Sequence, residues 1–129
     1  MSNSVPVVYI NCRRHPFIDW MIDDLKLFET RTRNTLGVLA GLRAFLAETG
    51  RGPSMCRCSA VIGAPLVARS RKEWNALRKM HRVPRGSAYD WKPWTRVKYL
   101  YQITDVIPCD PFHPAEGIRH GRVWMETTI

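Results

Sequence analysis

The sequence predicts a small α+β domain in which five or six short strands form a closed or nearly closed β-barrel, accompanied by two short helices. Short apolar segments rich in β-branched and aromatic residues predict the strands. Two segments with apolar residues at three- and four-residue steps predict the helices, and turns rich in Gly and Pro separate the elements. With 129 residues, 45% of them hydrophobic, the chain is long enough for one domain, residues 1–129, with a core of its own.

The strands follow from alternation and composition. The predicted strands are Val5–Asn11, Leu27–Thr32, Leu42–Thr49, Met55–Val67, Val97–Ile107 and Val123–Thr127. Between the last two, Pro108–Gly121 holds three prolines and two glycines, which predicts an ordered loop. Closing such strands into a barrel would remove exposed sheet edges.

The two helices have recognisable beginnings. Pro16 suits the first turn of a helix predicted over Pro16–Leu25. Ser70 is a candidate N-cap for the second helix, and Glu73 stands three residues later, as a capping box requires. The expected buried stripe of this second helix is Trp74, Leu77 and Met80.

The charge of the chain is strongly positive. Twenty Lys and Arg residues against eleven Asp and Glu give a formal net charge of +9, which creates a field that attracts polyanions. Ten cations and only two acids lie between Arg69 and Lys98, and the segment is interleaved with four aromatic residues and directly followed by a fifth, Tyr99. This basic segment is either a solvated face or a surface that contacts phosphates, and the aromatic residues favour the second interpretation.

Compartment and membrane association follow from what the sequence lacks. The N-terminal residues show no basic region followed by an apolar one, so we expect no signal peptide. The apolar runs are far shorter than the ~20 residues needed to span a bilayer. The four cysteines, Cys12, Cys56, Cys58 and Cys109, do not form a disulfide framework typical of secreted scaffolds. We therefore expect a cytoplasmic protein with reduced thiols and no membrane association.

A charged motif lies after the first predicted helix. The segment Asp24–Arg33 reads Asp-Leu-Lys-Leu-Phe-Glu-Thr-Arg-Thr-Arg. It resembles the signature of the ASCH family, commonly written G-x-K-x-x-E-x-R, which Lys26, Glu29 and Arg31 match; Asp24 stands in place of the glycine. The helix before the motif and the strands after it, including residues 98–103 and 122–125, also resemble the family.

The resemblance implies a PUA-like β-barrel with a basic cleft between barrel and helices, in a family proposed to bind RNA. Some ASCH-like members hydrolyse modified cytidine nucleosides, and some are reported as ribonucleases. The nucleoside-hydrolysing branch uses a lysine and, three positions later, a threonine nucleophile. Lys26 aligns with that lysine, whereas Glu29 occupies the threonine position.

Three groups of residues are candidates for the site. On the motif strand, Lys26, Arg31 and Arg33 would bind phosphate, and Glu29 would accept a hydrogen bond from a base or tether Arg31. In the Gly- and Pro-bounded loop of residues 86–94, Tyr89 and Trp91 either stack on a base or plug the open end of the barrel. Near the C-terminus the candidates are Arg122, for ligand binding, and His120.

The leading hypothesis is an RNA- or nucleotide-binding domain that needs no cofactor. The alternative is a ribonuclease or modified-nucleoside hydrolase in the same cleft, with Lys26, Glu29 and His120 as candidate catalytic groups. Exposed Trp94 and Phe112 would indicate a protein partner. Cys56 and Cys58 lack the usual spacing of a zinc knuckle, so we expect no structural metal and no change in melting temperature with a chelator.

Overall fold

The structure, a computed structural model, describes the backbone of residues 4–115, 118–120 and 124–128 and the side chains of residues 5–115. The strands are β1 (Ser4–Asn11), β2 (Phe28–Arg31), β3 (Arg43–Thr49), β4 (Met55–Ala68), β5 (Lys98–Phe112), β6 (Ile118–His120) and β7 (Trp124–Thr128). The α-helices are α1 (Phe17–Ile22), α2 (Arg71–Ala76) and α3 (Arg78–His81), and a 3₁₀ turn covers Gly37–Leu39.

The strands form one sheet in the order β2-β5-β4-β3-β1-β7-β6. The β1–β3 pair is parallel, and the other neighbouring pairs are antiparallel. The predicted α+β class is confirmed. The described residues contain seven strands and three short helices, more than the five or six strands and two helices expected from the sequence.

The sheet curls but does not close. Strands β2 and β1 stand at the two ends of the five-strand part β2-β5-β4-β3-β1, yet the Arg31 side chain in β2 donates a hydrogen bond to the Tyr9 carbonyl in β1 at 2.8 Å. The five strands therefore form a half-barrel. Among the described residues no backbone ladder joins β1 to β2, so the half-barrel has an open seam between these two strands.

Two apolar clusters lie on opposite sides of the long strands. Val8 and Ile10 of β1, Ile62 of β4 and Tyr101 of β5 pack inside the half-barrel with Ile18 and Met21 of α1. The second cluster joins the α2 region to the start of β5 and consists of Ala68, Trp74, Val83, Trp91 and Leu100. Successive residues Leu100 and Tyr101 face different clusters because strand side chains alternate.

The second predicted helix begins at its expected N-cap, Ser70, but the last residue of its expected buried stripe, Met80, is not buried. The Ser70 hydroxyl accepts a hydrogen bond from the Glu73 amide at 3.1 Å, and the Glu73 carboxylate accepts one from the Arg69 amide at 2.8 Å. Trp74 is fully buried, whereas Met80 is 36% exposed. His81 takes the buried position instead, stacked on Trp74 with 3.8 Å between the ring centroids.

The prediction of a loop over Pro108–Gly121 is wrong for its first part, because β5 continues to Phe112. The backbone of residues 118–120 also forms a strand, β6. Strand β5 pairs with β2 only over Tyr99–Gln102, while its pairing with β4 extends to Phe112. Beyond β2 one side of β5 is a sheet edge within the described residues, which is where prolines in strands are normally found.

None of the helices within the described residues has the length and apolar character that crossing a membrane requires.

Candidate functional site

A cavity of about 460 Å³ opens at the seam of the half-barrel. Its walls come from β1 (residues 9–11), β2 (residues 29–31), the following Thr32, Phe17 of α1, Lys26, Thr49, Val83, Tyr89 and Lys98. We call this cavity the seam cleft. It lies within the size range of small-molecule sites, and it combines three cations and one carboxylate with aromatic side chains.

Lys26 is positioned by the end of α1 and buried against α3. The amides of Leu25 and Lys26 both donate to the Trp20 carbonyl, which reverses the chain after the helix. The ammonium donates to the His81 carbonyl at 2.5 Å and lies 4.7 Å from the centroid of the Phe17 ring. Burial lowers the pKa of Lys26 to about 8, although the neighbouring Glu29 carboxylate opposes that change.

Glu29 and Arg31 share one face of β2, as the alternation of the strand requires. Their side chains form an ion pair at 3.0 Å, and the second Glu29 oxygen accepts from the Thr30 amide at 3.0 Å. Arg31 also bonds to the Tyr9 carbonyl across the seam. Its Nε is buried without a hydrogen-bond partner, and an unsatisfied buried donor of this kind calls for an explanation.

Lys98 and Tyr89 complete the cleft on the side of the basic segment. The Lys98 ammonium donates to the Tyr89 carbonyl at 2.9 Å and lies 5.1 Å from the Trp74 ring centroid. Burial lowers the pKa of Lys98. The Tyr89 ring is 37% exposed and meets the Phe17 ring edge-on, with 5.8 Å between centroids. These two rings give the cleft an aromatic wall.

Asp90 fixes the loop that carries Tyr89. Its carboxylate accepts hydrogen bonds from the Trp74 indole at 2.7 Å, from Arg78 at 2.9 Å and from the amides of Gly86 and Trp91 at 2.8 and 2.9 Å. Burial alone would raise the pKa of Asp90, but these hydrogen bonds hold it well below its usual range. The hydrogen bonds of the Asp90 carboxylate therefore hold the loop to α2.

The architecture around this cleft is found in known structures. The ASCH protein from Zymomonas mobilis superposes with a TM-score of 0.69 at 17% identity, over 84% of this chain and 72% of that one. Two single-residue mutants of that protein superpose with a TM-score of 0.68 at 18% identity, over 84% of this chain and 72% or 74% of theirs. The chain has an ASCH-like fold. No protein-family model and no curated protein matches the sequence, and at this identity the likeness shows the fold alone.

The ASCH-like motif explains one local feature of the backbone. Asp24, which stands where the motif has glycine, has a φ of 59°. This left-handed conformation is favoured by glycine and tolerated by aspartate better than by most residues. The position therefore requires an unusual backbone at the turn into Lys26, and aspartate supplies it without the glycine of the family signature.

The structure brings some of the predicted site residues together and leaves others apart. Lys26, Glu29, Arg31 and Tyr89 line the seam cleft. Arg33 is exposed and does not line it, because β2 ends at Arg31 and the alternation expected to Thr32 stops there.

Trp91 also does not line the cleft, because it is buried in the second apolar cluster, which favours the packing interpretation of that ring. Arg122 and the side chain of His120 lie outside the described residues.

Sequence analysis missed Phe17 and Lys98 as cleft residues. In the sequence Phe17 is one apolar residue of the helix predicted over Pro16–Leu25, and Lys98 is one of ten cations in the basic segment. Each of the two lies against an aromatic ring, Phe17 against Tyr89 and Lys98 against Trp74. These contacts exist only in the folded chain.

The remaining predictions concern metals and protein partners. The described residues contain no group of three or more His, Cys, Asp or Glu side chains that could hold a metal ion. Burial raises the pKa of Cys56 to about 12 and that of Cys58 to about 11, so both remain thiols. Trp94 is 77% exposed, whereas Phe112 packs edge-on against Phe45. The expected protein partner and the absence of metal stay predictions.

Proposed function

We propose that the seam cleft binds a nucleotide, either free or as part of an RNA. The observation that carries this proposal is the set of three buried or half-buried cations, Lys26, Arg31 and Lys98, around a cavity that contains one carboxylate. Burying like charges together is unfavourable unless an opposite charge compensates them. Glu29 supplies one negative charge, and a ligand phosphate would supply the rest.

The donors of the cleft suit a phosphate. Arg31 offers its unpartnered buried Nε. An ammonium has three donors, and the hydrogen bonds to His81 and Tyr89 account for one each on Lys26 and Lys98. Charge-assisted hydrogen bonds to phosphate oxygens are about twice as strong as neutral ones.

The aromatic wall suits a base. Tyr89 is partly exposed at the cleft and meets the ring of Phe17, which also lines the cleft, edge-on, so a base could stack at this wall. Stacking of this kind is worth about 1–3 kcal/mol per base and tolerates any sequence. Glu29 can accept from an exocyclic amino group, which would add a preference among bases.

Binding of a fluorescein-labelled single-stranded RNA, measured by fluorescence anisotropy, tests the proposal. Lys98→Met removes the ammonium and keeps most of the stem, and we expect the dissociation constant to rise about tenfold from the loss of a charge-assisted bond. Lys72→Met is the matched control, because Lys72 is exposed on α2 and lies outside the cleft. Equal effects of the two substitutions would contradict the proposal.

The aromatic contribution has its own matched pair. Tyr89→Ala should weaken binding about tenfold, whereas Tyr89→Phe keeps the ring and should bind like the parent. Thermal melting of each variant shows whether the fold is kept. The same RNA analysed by gel electrophoresis separates binding from the enzymatic alternative, since cleavage products that disappear in Glu29→Gln while binding remains would indicate a hydrolase.

A further inference from the structure

A second cavity lies beside the seam cleft. It has a volume of about 410 Å³ and is lined by residues 75–76, 78–79 and 82–85. Val83 lines both cavities, so the two are neighbours across one buried side chain. We call the second cavity the basic groove, because four of its eight lining residues are Arg78, Lys79, Arg82 and Arg85.

Most of the positive charge in the basic groove is uncompensated. Asp90 pairs with Arg78 at 2.9 Å. Within residues 5–115, Lys79, Arg82 and Arg85 form no ion pair with a carboxylate, and all three are exposed. Such a cluster is often only a solvated face, so the orientation of its members decides what the groove can do.

Arg82 is held in place in the basic groove, next to Val83. Its backbone adopts a left-handed φ of 57° where α3 ends. Its Nε donates to the carbonyls of Leu25 and Lys79, both at 3.0 Å. These bonds fix the guanidinium and leave the four N–H donors of its terminal nitrogens for other acceptors. A restrained arginine loses little conformational freedom when it binds an anion.

We propose that the basic groove binds the backbone phosphates of nucleotides adjoining the one in the seam cleft, so that the ligand is single-stranded RNA of several nucleotides. This inference rests on the proposed function. A base must be unpaired to enter a cleft lined by an aromatic ring, which favours a single strand. Its chain then continues past Val83, where three uncompensated cations lie. Continuity with an aromatic cleft favours a polynucleotide over an acidic peptide or a lipid surface.

The test removes two cations from the groove and two from elsewhere in the same segment. The groove variant is Lys79→Ala with Arg85→Ala, and the control variant is Arg71→Ala with Lys72→Ala. Each double variant loses one lysine and one arginine, all four residues are exposed, and the control pair lines neither cavity. The probes are fluorescein-labelled single-stranded RNAs of two and of about ten nucleotides, lengths that bracket the smallest sites of single-strand binders.

We expect the groove variant to bind the longer RNA about tenfold more weakly and to lose most of the advantage of the longer RNA over the dinucleotide. The slope of log affinity against log salt should become shallower by about 1.4, since each single-strand phosphate contact contributes about 0.7. The control variant should keep the parent slope and the parent preference for length.

Equal losses in the two double variants would overturn the inference, because they would show a diffuse surface charge without a groove. So would parent-like binding by the groove variant. Failure of the proposed function is distinguishable, since it appears as an unchanged RNA affinity in Lys98→Met. If Lys98→Met binds the RNA more weakly and the groove variant binds it as tightly as the parent does, the seam cleft remains a nucleotide site. Only the proposed role of the basic groove is then refuted.

Discussion

Replacing Lys26 by methionine tests the electrostatics of the seam cleft without a ligand. The Lys26 side chain is 2% exposed, its ammonium bonds to the His81 carbonyl at 2.5 Å, and burial lowers its pKa from 10.5 to about 8. Methionine preserves the apolar stem and removes the charge. The substitution should therefore change how the stability of the fold depends on pH.

The magnitude follows from the pKa difference between the folded and unfolded chain. A fall of the Lys26 pKa from 10.5 to about 8 corresponds to about 3 kcal/mol. Between pH 8 and 10.5 the unfolded chain keeps the Lys26 proton and the folded chain releases it, so the stability of the parent rises with pH in this window. Below pH 8 both states are protonated, and the folded chain carries the whole unfavourable contribution of the buried charge.

Two effects of methionine oppose each other at pH 7. The buried charge disappears, which removes a penalty of about 3 kcal/mol. The His81 carbonyl loses its partner, and an unsatisfied buried acceptor costs about 1–3 kcal/mol. We therefore expect Lys26→Met at pH 7 to be as stable as the parent or more stable by up to about 2 kcal/mol.

Urea unfolding at pH 7 and pH 10 measures the effect. The free energy of unfolding of the parent, relative to that of Lys26→Met, should rise by about 2–3 kcal/mol between these values. Other groups titrate alike in both proteins and cancel in the difference. Lys72→Met, at an exposed position, should show no such change. A difference that is independent of pH would refute the reasoning and would mean that the attraction of the nearby Glu29 carboxylate offsets the effect of burial on Lys26.

The remaining predictions concern binding, acid stability and the anchor of the Tyr89 loop. A bound phosphate favours the ammonium of Lys26, so RNA affinity measured by anisotropy should fall as pH rises through 8; the fall should vanish in Lys26→Met. Burial lowers the pKa of His81 from 6.5 to about 4, and the unfolded chain therefore binds the proton first. The free energy of unfolding should fall by up to about 3 kcal/mol between pH 6.5 and 4, and a fall that persists in His81→Gln would assign it to another group. Asp90→Asn should lower the free energy of unfolding by about 2–4 kcal/mol. The charge-assisted bond to Arg78 is lost, and one of the donors that bond to Asp90 is left without an acceptor. A loss below about 0.5 kcal/mol in urea unfolding would show that the fold does not need this anchor.

Local patterns were enough to predict the features that depend on neighbouring residues. The Glu73 carboxylate accepts from the Arg69 amide and not from the Ser70 amide, so only half of the capping box forms. The other half, the bond from the Glu73 amide to the Ser70 hydroxyl, forms as expected, because it depends only on two residues three positions apart. Glu29 and Arg31 lie on one face of β2 for the same reason, since alternation is a property of the single strand. Lys26, Glu29 and Arg31 of the motif accordingly lie together at the seam cleft, whereas Arg33 does not line it.

Features that depend on distant partners could not be read from the sequence. Trp91 resembles a stacking residue in the sequence, but Asp90 accepts from its amide and from the Trp74 indole, which directs the loop onto α2. No pattern in the sequence predicts that His81 is buried. In the structure its Nδ1 accepts from the Val83 amide at 2.9 Å and its Nε2 bonds to the Trp74 carbonyl at 3.0 Å. Both ring nitrogens are satisfied, and this allows a polar ring to occupy a core position.

The open seam explains why one side chain serves the fold and the candidate site together. Arg31 bridges β2 to β1 through the Tyr9 carbonyl and also neutralises Glu29. Removing the Arg31 side chain would leave a buried carboxylate without its ion-pair partner, which is strongly destabilising. Weaker binding by such a variant could then come either from a lost ligand contact or from a widened seam. Lys98 lacks this double role, since its bond to the Tyr89 carbonyl lies on one side of the cleft. The proposed anion binding is therefore better tested at Lys98 than at Arg31, with thermal melting of each variant to check that the fold is kept.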